Sequence, residues 1–207
     1  MQKKQATNVL DIDNFYPVNR KKWRQWLEKH HDVRQSVWLL YYKKNSGKPT
    51  ITYSDAVDEA LCFGWIDSRA KGIDEDCFIQ FFSRRKSTSV WSMVNKRKVD
   101  MLIEKGLMTK AGLERIETAK QNGSYYILDD VEALVVPADL EKAFEEKEKG
   151  WNYFENLSRS DKRNMLQWLK LAKRQETRQK RIDEIVTLAV KQQKPKQFTQ
   201  PLSKRNG

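Results

Sequence analysis

The sequence is poor in the residues that usually announce chemistry. It holds two histidines and two cysteines in 207 residues. The histidines, His30 and His31, are adjacent. On a helix their side chains diverge by about 100°, so they do not converge on one metal. Neither Cys62 nor Cys77 stands in a C-x-x-C pair or a zinc spacing, which points to free thiols in a reducing compartment rather than a disulfide. P-loop, G-x-G-x-x-G, G-x-S-x-G and H-E-x-x-H patterns are missing. No catalytic residue, metal ligand or cofactor is assigned on this basis. No apolar run approaches membrane-spanning length, and the opening MQKKQATNVLDIDNF has no apolar signal core. The expectation is a cytoplasmic protein with no membrane span.

What the sequence does have is aromatic residues and positive charge. Seven Trp, seven Tyr and eight Phe in a chain that is 39% hydrophobic are enough for a packed core. The formal net charge is +12, and +9 of it falls in residues 151–207. Such asymmetry suits an anionic partner, although a solvated basic surface produces the same count.

The most informative stretch is 60–102. A helix ends near Cys62 and is stopped by Gly64, a residue that tolerates positive φ. Trp65 to Lys71 reads as a strand with Trp65, Asp67 and Arg69 on one face. A polar turn at 72–76 leads to a second strand, Cys77 to Arg84, with Phe78, Gln80, Phe82 and Arg84 on one side. A helix predicted from Val90 to Lys105 follows, with Trp91, Val94, Lys98, Met101 and Leu102 as its inner stripe. Upstream, Asn19 caps a helix bearing Trp23, Trp26 and Leu27, and 36–44 forms another strand. Thr52-x-x-Asp55 opens the helix before Gly64. Downstream, Thr109 caps a helix closed by Gly123, 124–137 reads as an extended linker, and further amphipathic helices run to Ala189, capped at Ser160 and Thr177.

The fold class is therefore α+β: a small antiparallel sheet of about three strands covered by helices, followed by a C-terminal helical bundle. The expected division is a flexible arm over 1–10, an α+β core over 11–130, a helical region over 131–190 and a disordered basic tail over 191–207.

The string ALCFGWID, the Arg84–Arg85 pair and S-x-W-S-x-x-N at 89–95 resemble the YdeI/OmpD-associated, or bacteriocin-protection, family. The likeness continues through AGLERIETAKQNG and LAKRQETRQKRI, covering roughly residues 20–190. Ser83 replaces the proline expected before the arginine pair, and Tyr125 and Tyr126 replace the tryptophan expected after Gly123. The resemblance implies a bacterial cytoplasmic protein tied to resistance or stress phenotypes, and it brings no established catalytic residues.

Three functional readings follow. Asp67, Arg84, Arg85, Trp91, Ser92 and Asn95, with Trp38 and Lys43 from the neighbouring strand, would form a groove for an anionic small molecule or peptide. Arginine forks suit carboxylate and phosphate, and indoles wall off water. Alternatively, Arg163, Lys173, Arg174, Arg178 and Arg181 would track a nucleic-acid backbone, or solvate their own helices. An enzyme would have Asp67 as its one general base.

Overall fold

The computed structural model describes residues 14–199, so the expected 1–10 arm and the end of the basic tail lie outside the described residues. The chain forms two compact units. Residues 14–89 and 94–125 make the first, and residues 90–93 with 126–199 make the second.

The first unit is α+β. In order it contains β1 (Asn14–Phe15), α1 (Arg20–His30), β2 (Ser36–Tyr42), α2 (Tyr53–Cys62), β3 (Trp65–Gly72), β4 (Cys77–Arg84), α3 (Met93–Glu104, entering this unit from Val94) and α4 (Lys110–Gln121). The sheet order is β1-β2-β4-β3. The pairs β2–β4 and β3–β4 are antiparallel as expected, and β1 adds a short parallel fourth strand. The sheet is thus mixed rather than wholly antiparallel.

The helices start where side-chain oxygens can cap them. Asn19 accepts from the Lys22 amide and Thr109 from that of Gly112. Thr52 Oγ1 accepts from the Asp55 amide at 3.1 Å and donates to its carboxylate at 2.7 Å, a reciprocal cap. One sheet face is covered: Val37, Leu39, Trp65, Gln80 and Phe82 are all buried on it. Trp23 of α1 meets the Phe82 ring at 5.5 Å and donates its indole N–H to the Ala56 carbonyl in α2.

Two sequence expectations fail locally. The β3–β4 register shifts between Asp67 and Ala70, a bulge that places two residues opposite Phe81. Ala70 therefore pairs with Gln80 on the covered side. Arg69 moves away from Trp65 and Asp67 and lies over the Trp38 and Phe81 rings on the other face. Helix α3 starts at Met93, and its buried residues are Lys96, Val99 and Leu102, while Val94 is exposed. Lys96 can occupy an inner position because its ammonium rests over the Tyr125 ring at 4.4 Å.

The second unit is helical. It contains α5 (Asp129–Glu132), α6 (Ala138–Phe144), α7 (Glu148–Glu155), α8 (Arg159–Lys170) and α9 (Gln175–Val190). Leu140, Phe154, Leu169 and Ile182 have no exposed surface and anchor its core. The 124–137 stretch is not an extended linker: Leu128 and Val131 are part of that core. The α8 cap is Ser158, and α9 follows Arg174. Residues 191–199 also depart from the disordered-tail reading. They fold back, with Phe198 edge-on to Trp168 at 5.7 Å and Lys194 paired to Asp161 at 3.1 Å.

Both cysteines are free and buried. Burial pushes the Cys62 thiol up to about 11, the negative charge of Glu59 adds to the shift, and Arg24 opposes it. Between pH 9 and 11 the unfolded chain releases this proton while the folded chain keeps it. Stability present below pH 9 is therefore lost as pH rises, by about 2–3 kcal/mol for this one group. Urea midpoints from pH 8 to 11 should fall more steeply in the wild type than in Cys62→Ala; parallel curves would refute it.

Candidate anion-binding site

The two adjacent arginines at the end of β4 have different environments. Arg84 is opposite Trp65 at the start of β3. Its backbone amide donates to the Gln35 carbonyl at 3.0 Å, and Nε donates to the Arg34 carbonyl at 2.9 Å. Its Nη2 is buried and has no hydrogen-bond partner among the described residues. The side chain lines a cavity of about 260 Å³, together with His31, Phe63, Trp65, Glu114 and Arg115 among others.

The cavity is built by close approach of backbone. Gly64, at φ +71°, turns the chain from α2 into β3. A Cβ there would sit 2.6 Å from Arg115 Cγ, so the bare glycine lets α4 bring Arg115 against the α2–β3 corner. Gly112 works one turn earlier on the same helix, where a Cβ would lie 2.3 Å from the Cys62 carbonyl oxygen. His31 closes α1. Its Nδ1 is 2.9 Å from the Leu27 carbonyl, an oxygen that can only accept, so Nδ1 carries the hydrogen. Trp65 is held by its indole N–H donating to the His31 carbonyl at 3.2 Å. The result is a small chamber with two guanidiniums, one imidazole and aromatic walls. Glu114 and Asp32 are its acidic members.

Arg85 points inward and is 2% exposed. Its amide donates to the Gly64 carbonyl at 2.9 Å. Burial drives its pKa down to about 10, and the charge of Asp67 resists that shift. Asp67 Oδ2 in turn accepts from the Tyr53 hydroxyl at 2.8 Å and from Gln80 Nε2 at 3.2 Å. Gln80 also donates to the Ser68 carbonyl at 2.9 Å. The Tyr41 hydroxyl is pushed up by burial and then by the Asp67 charge, and that of the half-exposed Tyr53 by partial burial and then by its hydrogen bond to Asp67. Asp67 thus acts on Arg85 through space, from a half-buried polar cluster with Tyr53 and Gln80.

The other expected groove residues are placed elsewhere. Trp38 is on the opposite sheet face, T-shaped to Phe81 at 5.0 Å. Lys43 follows β2 and donates to the Asp74 carbonyl at 2.9 Å, beside the hairpin turn. Trp91, which is 2% exposed, and Ser92 fall in the 90–93 segment that groups with the second unit. Asn95 is half-buried in the first turn of α3. His31, Phe63, Trp65 and Arg115 were missed as site residues. The available signals were Gly64, which fixes the corner, and the Gly112-x-x-Arg115 spacing, which puts the arginine on the helix face that the glycine brings close.

Most of the basic residues considered for nucleic acid have partners within the second unit. Arg163 pairs with Glu132 at 3.1 Å. Arg178 grips both oxygens of Asp139 at 2.5 and 2.8 Å, and Arg181 stacks over Trp168 at 4.8 Å. Lys173 and Arg174 are exposed. Among the described residues there is no helix long and apolar enough to cross a membrane and no group of three or more metal-binding side chains.

Comparison with known families gives two matches. Residues 133–192 match the family described as Bacteriocin-protection, YdeI or OmpD-Associated. Residues 15–115 match a domain of unknown function (DUF8412). No curated protein and no solved structure matches the chain. The family resemblance is therefore shown on the helical second unit, while the ALCFGWID string that first suggested it falls in the other match.

Proposed function

We propose that this chain, whose second unit is a YdeI/OmpD-associated domain, is a cytoplasmic binding module whose first unit takes a small carboxylate or phosphate in the Arg84–Arg115 chamber. The observation that supports this reading is the Arg84 guanidinium. It is held by its Nε, its Nη2 is buried without a hydrogen-bond partner among the described residues, and it lines a cavity beside a second arginine. A buried, unsatisfied guanidinium N–H is costly, and an anionic oxygen relieves that cost with a charge-assisted bond. Arg115 supplies a second cation, and Trp65 and Phe63 exclude water from the contact. Compared with the groove expected from sequence, Arg84 is kept as the anion holder and Arg85 becomes its buried neighbour, under the through-space influence of Asp67. Protection against bacteriocins would be the setting in which such a module acts, as the family description suggests. Nothing in the geometry favours the general-base or nucleic-acid readings over this one.

The test is calorimetric titration of the full chain with inorganic phosphate and with short mono- and dicarboxylates at low ionic strength. Arg84→Ala should weaken the tightest of these by roughly ten- to a hundredfold, the loss of one or two charge-assisted hydrogen bonds. Lys173→Ala, on the exposed surface, should change nothing. Equal binding by wild type and Arg84→Ala overturns the reading.

A further inference from the structure

The second unit has a cavity of its own, of about 310 Å³, between α5, the 134–137 connection, α8 and α9. Its walls are apolar: Val131, Val135, Pro137 and Leu166. Its charged members are Asp130, Lys170 and Arg178. Val131 and Leu166 are each 3% exposed and form the floor, whereas Val135 is 55% exposed at the rim. The rim is shaped by an unusual turn. Leu134 adopts φ +58°, a conformation that a branched side chain disfavours, and the chain is locked there by Val135 N–H donating to the Asp130 carbonyl at 2.8 Å. This six-to-one closure is the left-handed turn that ends α5, the same device that ends α9 at Gln192. Here it holds a valine out at the edge of a cavity instead of burying it.

The charges at the mouth are unequal in their freedom. Arg178 is fixed: two of its nitrogens grip Asp139, and Nη1 donates to the Leu169 carbonyl at 3.0 Å. Arg178 thus lines the cavity with its charge and its three nitrogens already engaged. Among the described residues Lys170 pairs with Asp130 alone, at 3.1 Å, and the two side chains are 39% and 67% exposed. An ion pair that open to water contributes little, and its carboxylate can be exchanged for another at small cost.

We infer that the second unit binds a small amphipathic carboxylate. Its apolar body fills the Val131–Val135–Pro137–Leu166 throat, and its carboxylate takes the place of Asp130 on Lys170. A volume near 310 Å³ is at the small end of ligand pockets. That size fits a short aliphatic or single-ring acid. Asp130 is then a built-in competitor for the lysine, a property that a purely apolar cavity lacks.

The test is titration of the full chain with octanoate, octanol and octylamine. Octanoate should bind in the millimolar range or tighter, and more tightly than the other two. Lys170→Ala should weaken octanoate about tenfold and leave octanol unchanged, and Val135→Asp should abolish octanoate binding. Asp130→Asn should strengthen octanoate several-fold, an outcome that a misfolded variant does not produce. Running the titrations in the Arg84→Ala background removes the carboxylate chamber proposed for the first unit, so the signal that remains reports the second unit. No octanoate binding, equal affinity for all three amphiphiles, or an Asp130→Asn variant no tighter than wild type each overturns the inference.

Discussion

Replacing Asp67 by asparagine is expected to destabilise the first unit by about 3 kcal/mol, because it removes the charge that offsets a buried guanidinium. Arg85 is 2% exposed, and Asp67 supplies the attraction that opposes its desolvation. Asparagine keeps the size of the side chain and still accepts from Tyr53, so the loss reports charge rather than packing. The value is at the lower end of the range for uncovering a buried charge, since Asp67 acts through space and is itself half-buried. The second half of the cycle makes the result specific. Arg85→Met removes the cation that needs neutralising, so Asp67→Asn in that background should cost less than about 1 kcal/mol. Urea denaturation followed by tryptophan fluorescence measures all four corners. Equal losses from Asp67→Asn with and without Arg85 would mean that Asp67 acts through Tyr53 and Gln80 alone.

The same pair of residues shows what could be read from the sequence. Adjacent arginines at a strand end signal an anion site, and Arg84 does line a cavity. Which of two neighbours turns inward depends on where pairing stops, and the sequence pattern does not mark that point. Strand alternation placed Trp65 with Asp67, and Gln80 with Phe82 and Arg84, because period-2 burial is written into those residues. It failed at Arg69, where the bulge inserts one residue and reverses the faces. The α3 stripe failed for a related reason. Hydrophobicity alone rejects Lys96 as an inner residue, and only the Tyr125 ring beneath its ammonium makes that position favourable. The short β1 strand has two residues, too few for any periodic signal. Tyr41 and Tyr53, which crowd Asp67, read as ordinary strand and helix-start aromatics until the fold brings them together.

Gly112→Ala should be the most damaging single methyl in the first unit. In an exposed helix interior this change helps by up to about 1 kcal/mol, because alanine restricts the unfolded chain and favours helix. Here the added Cβ would lie 2.3 Å from the Cys62 carbonyl oxygen and 2.8 Å from its carbon. Both are backbone atoms, so no rotamer change relieves the contact. That carbonyl is also pinned, accepting from the Thr109 amide at 3.1 Å and the Thr109 hydroxyl at 2.7 Å. The helices must separate, and those two bonds stretch with them. Overpacking of this kind costs about 3 kcal/mol, enough to reverse the sign set by helix propensity. The damage also extends to the proposed chamber: Arg115, on the same face of α4, moves away from Gly64, and the affinity for small anions should fall along with stability. Gly72→Ala is the control, since a Cβ there meets nothing within 4 Å. Urea midpoints should drop sharply for Gly112→Ala and stay near wild type for Gly72→Ala. Indistinguishable midpoints would show that α2 and α4 do not pack backbone to backbone, and the chamber wall formed by Arg115 would lose its physical basis.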